Sequence, residues 1–269
     1  MFEYKIKKEL NSGLCSTAYI LDDKYIQLVG KRNDSYDIYK DMKANADLLE
    51  GNITCVDYPN SMILIEKCKD YPYGSLIYPM VKGKPLNVNN ISKEQLDIIA
   101  VDLVKFNKQM HNSNIHWDRE KSINHELEKV NNNIELLKKY LNKQEIKKLK
   151  EYEKQFSFYL HSKQNFCITH GDLWADNLIV DENNKLSGVI DFGNMAYFLP
   201  EVDYASLWDM TDDFLKKMIE VSNEDVTKES INLFIIHREL CSFEYILNDD
   251  IENKKSQIEK IKEVLKLIK

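Results

Sequence analysis

The sequence predicts an α+β protein in two lobes, a small β-rich N-lobe over residues 1–82 and a larger, mainly helical C-lobe over 83–269. Three observations predict it. Short β-prone runs separated by turn residues crowd the first lobe. Beyond them, apolar residues recur at three- and four-residue steps, the period of a buried helix face. Within the helical part lies one exception, an apolar strand, a tight polar loop, a second strand, a turn and a third strand between Thr169 and Gly193.

In chain order, Ala18-Tyr19-Ile20-Leu21 and Tyr25-Ile26-Gln27-Leu28-Val29 read as strands joined by a turn at Asp22-Asp23-Lys24. The preceding Asn11-Ser12-Gly13-Leu14-Cys15-Ser16-Thr17 holds one glycine, so as a phosphate-cradling loop it is a weak signal alone. Tyr36 to Leu49 reads as a helix ended by Gly51-Asn52. Residues 53–56, 62–66 and 75–78 read as strands. Pro79-Met80-Val81-Lys82-Gly83-Lys84-Pro85 carries turn formers, and the lobe boundary is placed there, with a hinge near 78–82.

The helical lobe opens with Ser92-Lys93-Glu94-Gln95, a capping box with Ser92 as N-cap and Gln95 at the third helical position. Leu96, Ile99, Ala100, Leu103, Phe106 and Met110 then form one apolar face. Residues 122–161 read as one or two charged amphipathic helices with Leu127, Val130, Ile134, Leu137, Tyr140 and Leu141 on the apolar stripe. Further helices are expected near 212–222, 227–248 and 251–268, with Leu233, Ile236, Leu240, Phe243, Ile246 and Leu247 as core residues.

The stretch Thr169-His170-Gly171-Asp172-Leu173-Trp174-Ala175-Asp176-Asn177-Leu178, with Val189-Ile190-Asp191-Phe192-Gly193 after it, places two acids and an amide at strand ends. Asn177 lies five positions after Asp172 and Asp191 nineteen after it. That coupling matches a phosphoryl-transfer site, in which an Asp takes the proton of an attacking hydroxyl and Asn and Asp hold magnesium through oxygen.

These residues resemble the aminoglycoside phosphotransferases and the wider choline-kinase-like small-molecule kinases, and the resemblance implies a protein-kinase-like two-lobe fold. It implies that Asp172 is the catalytic base, that Asn177 and Asp191 bind Mg2+, and that His170 braces the loop. Gly171 and Trp174, where protein kinases carry Arg and Lys, fit the small-molecule branch. By the same resemblance, ATP or GTP is the donor. Its phosphates lie under backbone amides around Gly13 and Ser16, and its purine meets the hinge at Met80. Asp203, in Pro200-Glu201-Val202-Asp203-Tyr204, corresponds to an acid that supports the catalytic loop.

A narrower similarity is to phosphotransferases acting on the 2″ hydroxyl of aminoglycosides, carried by Asn11 to Ser35, the catalytic stretch and Asp203 to Phe214. In that branch a tyrosine at the position of Tyr78 goes with GTP; a strand aromatic packed in the core is the plainer reading. The family's phosphate-contacting lysine and its helix glutamate fall at Leu28 and Met42. Lys31 is the substitute candidate, but three residues from Leu28 it faces the other way on a regular strand unless a bulge intervenes.

The composition, with 37 basic and 44 acidic residues, gives a net charge of −7, which argues against a nucleic-acid partner. It is compatible with a small cationic acceptor bearing a hydroxyl, for which Asp209, Asp212, Asp213, Glu239 and Glu244 are the candidate contacts. Five scattered cysteines without metal spacing read as reduced thiols. No stretch is long and apolar enough for a membrane span and no leader is evident, so a cytoplasmic location is expected. Two rival functions are a metabolic kinase for choline, a sugar, homoserine or a fructosamine, and a nucleotide-binding pseudokinase, which Leu28 and Met42 favour.

Overall fold

A computed structural model describes residues 6–12, 15–208, 210–246 and 251–268. Gly13, Asp209 and Leu247, all singled out from the sequence, lie outside them. The chain divides into two compact units, 1–113 with 172–195, and 114–171 with 196–269. The hinge segment 78–82 falls inside the first.

In the first unit, β1 (Ile6–Ser12), β2 (Ser16–Leu21) and β3 (Tyr25–Gly30) form an antiparallel meander. The β2–β3 turn is where the sequence places it, because Asp22 and Asp23 both take positive φ, 51° and 55°, the geometry of a tight hairpin. Helix α1 (Ser35–Leu48) follows. Then β4 (Ile63–Ile65) and β5 (Ser75–Pro79) complete a sheet of order β1-β2-β3-β5-β4. The strand expected over 53–56 does not form. The amides of Thr54 and Cys55 both donate to Oε1 of Gln109, at 2.8 and 3.1 Å, so a side chain takes the place of a strand partner.

Three short strands make the unit's second sheet: β6 (Lys84–Pro85), with β7 (Cys167–Thr169) intervening in the chain but belonging elsewhere, then β8 (Leu178–Val180) and β9 (Leu186–Val189), in order β6-β8-β9. Gly188 of β9 has no room for a side chain. An added Cβ would lie 2.2 Å from Val81 and 2.8 Å from the carbonyl of Asp57. Helix α2 (Lys93–His111) has the expected capping box at Ser92 and Gln95. Its predicted face, Leu96 to Met110, is buried, at about 1.5–3 kcal/mol for each large side chain.

The second unit is helical except for β7, which pairs with β10 (Ala196–Phe198). The charged segment resolves into two helices, α3 (Arg119–Leu137) and α4 (Lys143–Ser162), the latter opened by an Asn142/Glu145 capping box. Tyr140, expected on the apolar stripe, sits in the turn between them and is 43% exposed. Its ring still meets Phe243 edge-on at 5.6 Å. A short helix, α5 (Glu201–Ala205), precedes α6 (Asp212–Ser222), α7 (Lys228–Tyr245) and α8 (Ile251–Val264), the last three at the expected places. Helix α7 is buried on more than one face, since Ile231, Phe234, Ile235, Ile236 and Leu240 are all in the core. Among the described residues no helix is long and apolar enough to cross a membrane.

Candidate active site

The loop that follows β7 is held from behind. The buried Asp203 on α5 accepts the backbone N–H of His170 at 3.1 Å and of Gly171 at 2.8 Å. Gly171 sits at φ 80°, a left-handed conformation that glycine adopts without steric cost. Ser206 adds a hydroxyl to the Gly171 carbonyl at 3.3 Å. The two residues preceding Asp172 are therefore fixed in both their amides, and His170 is wholly buried.

Asp172, Asn177 and Asp191 all belong to the first unit. A 3-10 turn over Ala175–Asn177 brings Asn177 back toward Asp172. The amide Nδ2 of Asn177 donates to the Asp172 backbone carbonyl at 2.9 Å and approaches its carboxylate Oδ2 at 3.4 Å. Pinning the nitrogen side leaves Oδ1 of Asn177 as the atom that could hold a metal. Asp191 is exposed and takes φ 68°, ψ 72°, an uncommon left-handed conformation for a side-chain-bearing residue. Its carboxylate accepts the Gly193 N–H at 3.4 Å. One amide oxygen and one exposed carboxylate are hard oxygen donors, and they fit Mg2+, which takes few protein ligands and keeps water and phosphate for the rest.

Phe192, next to Asp191 in the chain, is a buried anchor. Its ring contacts Tyr58 and Phe106 edge-on at 5.7 and 6.4 Å. Its carbonyl accepts Nδ2 of Asn45 from α1 at 2.8 Å. Asn45 was not expected from the sequence; a polar residue at a buried helix position was the available signal. Met42, one turn before it, is buried with its Cγ 3.3 Å from where a Cβ of Gly193 would stand.

On the sheet, Ser16 opens β2 and its hydroxyl lies 2.6 Å from that of Tyr39 on α1. Burial is the main force raising the Tyr39 phenol to about 12, against the lowering effect of Ser16. Leu28 is half-buried in register with Ala18 and Leu76. The β2–β3 register runs without a bulge to Gly30, so Lys31 lies just past the strand end, exposed, with its N–H on the Cys15 carbonyl at 3.0 Å. Arg32 beside it grips Asp34 with two nitrogens, at 3.0 and 2.6 Å, and reaches the Cys15 sulfur at 3.7 Å. Burial raises the Cys15 thiol; Arg32 and Lys31 pull it down, and Asp34 and Asp191 push it up. These charges thus share one neighbourhood. Arg32 is a second cation there that the sequence reading passed over.

Tyr78 is buried in β5 opposite Ile26, and its phenol is raised chiefly by burial and then by the charge of Asp191. The N–H of Met80 donates to the Lys24 carbonyl at 2.8 Å, which leaves the carbonyl as that residue's backbone group for a ligand. The acidic candidates belong to the second unit. Glu239 is buried, accepting Trp208 Nε1 at 3.1 Å and Gln257 Nε2 at 2.9 Å. Asp212 is exposed and paired with Lys228 at 3.2 Å. Asp213 and Glu244 are exposed, on α6 and α7.

A model of the Phosphotransferase enzyme family matches residues 19–224, which takes in the sheet from the middle of β2 onward, the loop around Asp172 and the Asp203 support. The chain belongs to this family. It is a phosphotransferase with an alcohol group as acceptor. Solved structures with the same fold include the GDP complex of aminoglycoside 2'-phosphotransferase-IIIa, at 19% identity over 97% of this chain and 93% of that one, with a TM-score of 0.79. Another is the streptomycin–ATP complex of APH(2")-IIa, at 20% identity over 98% and 91%, TM-score 0.73. A third is the macrolide 2'-phosphotransferase MphH from Brachybacterium faecium, at 12% identity over 96% and 94%, TM-score 0.68. Across this phosphotransferase fold, the mixed architecture with a small antiparallel sheet and a larger helical part is the one the sequence predicts.

Proposed function

We propose that this phosphotransferase moves the γ-phosphoryl group of ATP or GTP to a hydroxyl of an aminoglycoside-like, cationic small molecule. The observation that carries the mechanism is the approach of Asn177 Nδ2 to Asp172, 2.9 Å from its backbone carbonyl and 3.4 Å from its carboxylate, which holds the amide beside that carboxylate. The acceptor hydroxyl gives its proton to Asp172 as its oxygen attacks the γ-phosphorus. The bond to the bridging oxygen breaks, and the nucleoside diphosphate leaves. Oδ1 of Asn177 and the carboxylate of Asp191 would hold magnesium, which would neutralise charge on the phosphates. Asp203 keeps the chain before Asp172 from shifting. The amides at the start of β2, Ser16 among them, face the phosphates, with Lys31 as the supporting cation. Tyr78 and the Met80 carbonyl border the purine.

Support for the donor comes from the GDP and ATP complexes among the similar structures, and for the acceptor from the streptomycin complex. Asp212, Asp213 and Glu244 are exposed carboxylates suited to ammonium groups, with Asp209 beside them in the sequence. Glu239, engaged by Trp208 and Gln257, acts by positioning them. One observation favours a second reading, a nucleotide-binding protein without turnover: Leu28 and Met42 are apolar where the family's lysine and glutamate stand.

The test is nucleotide consumption with magnesium, ATP and GTP separately, against aminoglycosides, macrolides and small metabolites. Aminoglycoside-dependent turnover that disappears in Asp172→Ala, with nucleotide binding retained, supports the reading. Turnover with a metabolite alone replaces the acceptor. Nucleotide binding without turnover across the panel supports the second reading.

A further inference from the structure

The second unit holds a trio of side chains with a different chemistry. Glu126 on α3 and His237 and Cys241 on α7 bring a carboxylate oxygen, an imidazole nitrogen and a thiol sulfur within 4.8 Å of one another. His237 and Cys241 are four residues apart, so they project from one face of α7 on successive turns. Nε2 of His237 lies 2.9 Å from Oε2 of Glu126 and 3.4 Å from Sγ of Cys241. An imidazole nitrogen has one hydrogen or one lone pair, so a single hydrogen bond satisfies one of these neighbours and not both. A cation between the three satisfies all of them.

We propose that Glu126, His237 and Cys241 bind a divalent transition-metal ion of the zinc type. Tetrahedral zinc, with bonds of about 2.0 Å to nitrogen and oxygen and about 2.3 Å to sulfur, holds its ligand atoms roughly 3.3–3.7 Å apart. The 3.4 Å between nitrogen and sulfur already falls in that range, the 2.9 Å between nitrogen and oxygen opens by a few tenths of an ångström, and the third separation is within 4.8 Å. The His237 ring is held in place by stacking on Phe156, with centroids 5.0 Å apart. Glu126 and His237 are buried, while Cys241 is half-exposed and gives the entry side. Three protein ligands leave a fourth position for water.

Lys129 lies 3.0 Å from Oε1 of Glu126, so Oε2, the oxygen that faces His237, is the one that serves the ion.

The test uses the full chain, stripped of metal and held in excess magnesium so that oxygen-ligand sites are filled. Titration with cobalt(II) reads the near-ultraviolet band of thiolate-to-cobalt charge transfer and the stoichiometry. The expected result is one cobalt per chain and displacement by zinc. The band persists in the Cys15→Ser/Cys55→Ser/Cys68→Ser variant and is lost in Cys241→Ser at an unchanged melting temperature. If the Ser variant does not fold, Cys241→Ala is read in the same way. No band at one equivalent in the wild type, or a band that survives loss of Cys241, overturns the proposal.

Discussion

The carboxylate of Asp203 accepts the backbone N–H of Gly171 at 2.8 Å, one residue before Asp172 in the chain. Its other oxygen takes the N–H of His170. Replacing Asp203 with Asn turns one acceptor into a donor facing an N–H. We expect a loss of about 1–3 kcal/mol in stability, the usual cost of an unsatisfied buried group. The turnover number should fall by roughly tenfold or more while KM for the nucleotide stays near the wild-type value, because the change reaches catalysis through Asp172 alone. Denaturant melts and steady-state kinetics check both.

Asp191 combines the metal-binding role proposed for it with a left-handed backbone, φ 68°. Both Asp191→Ala and Asp191→Gly should lose activity. Glycine tolerates this conformation and alanine does not, so Asp191→Gly should be the more stable by roughly 1 kcal/mol. Thermal melts of the two variants check the order. Asn177→Ala should raise the magnesium concentration for half-maximal rate by roughly tenfold or more, read from a magnesium titration of the initial rate.

The Ser16–Tyr39 hydroxyl pair ties the start of β2 to α1. Tyr39→Phe keeps the ring in the core and removes that tie. The expected cost is about 1 kcal/mol. KM for the nucleotide should rise more than kcat falls, since the segment proposed to face the phosphates is what loosens. Nucleotide titrations on the variant check this.

The Glu126–His237 pair sets a pH window. Burial alone would lower His237, but Cys241 and Glu126 outweigh it and raise it from 6.5 to about 10. The stability it contributes is complete below 6.5 and is lost as pH rises through 10. Burial alone would raise Glu126, but His237 and Lys129 outweigh it and lower it from 4.5 to about 2. Its contribution is complete above 4.5 and is lost as pH falls through 2. Both are therefore complete between 4.5 and 6.5. In His237→Gln, melting temperature measured with chelator should fall less between pH 6.5 and 10 than it does in the wild type.

The elements that were legible in the chain are those whose signal is local. The Ser92/Gln95 capping box, the α2 face from Leu96 to Met110 and the Asp22-Asp23 hairpin turn each depend on residues a few positions apart. So does the tie of Asn177 to Asp172, because the turn at Ala175–Asn177 closes within the loop itself.

What needed the tertiary structure is pairing between residues far apart. Residues 53–56 have strand-like composition, but Gln109, on another element, claims two of their amides. The strands on either side of Asp172 look like one local unit. Yet β7 pairs with β10, while β8 pairs with β6 and β9. The tie from Asn45 to Phe192 spans 147 positions. Glu239 carries the composition of a surface acid but is buried on Trp208 and Gln257, because α7 packs on several faces. Periodicity and caps record what each segment prefers with its neighbours; which amide, ring or carboxylate meets it from elsewhere is set only when the chain closes on itself.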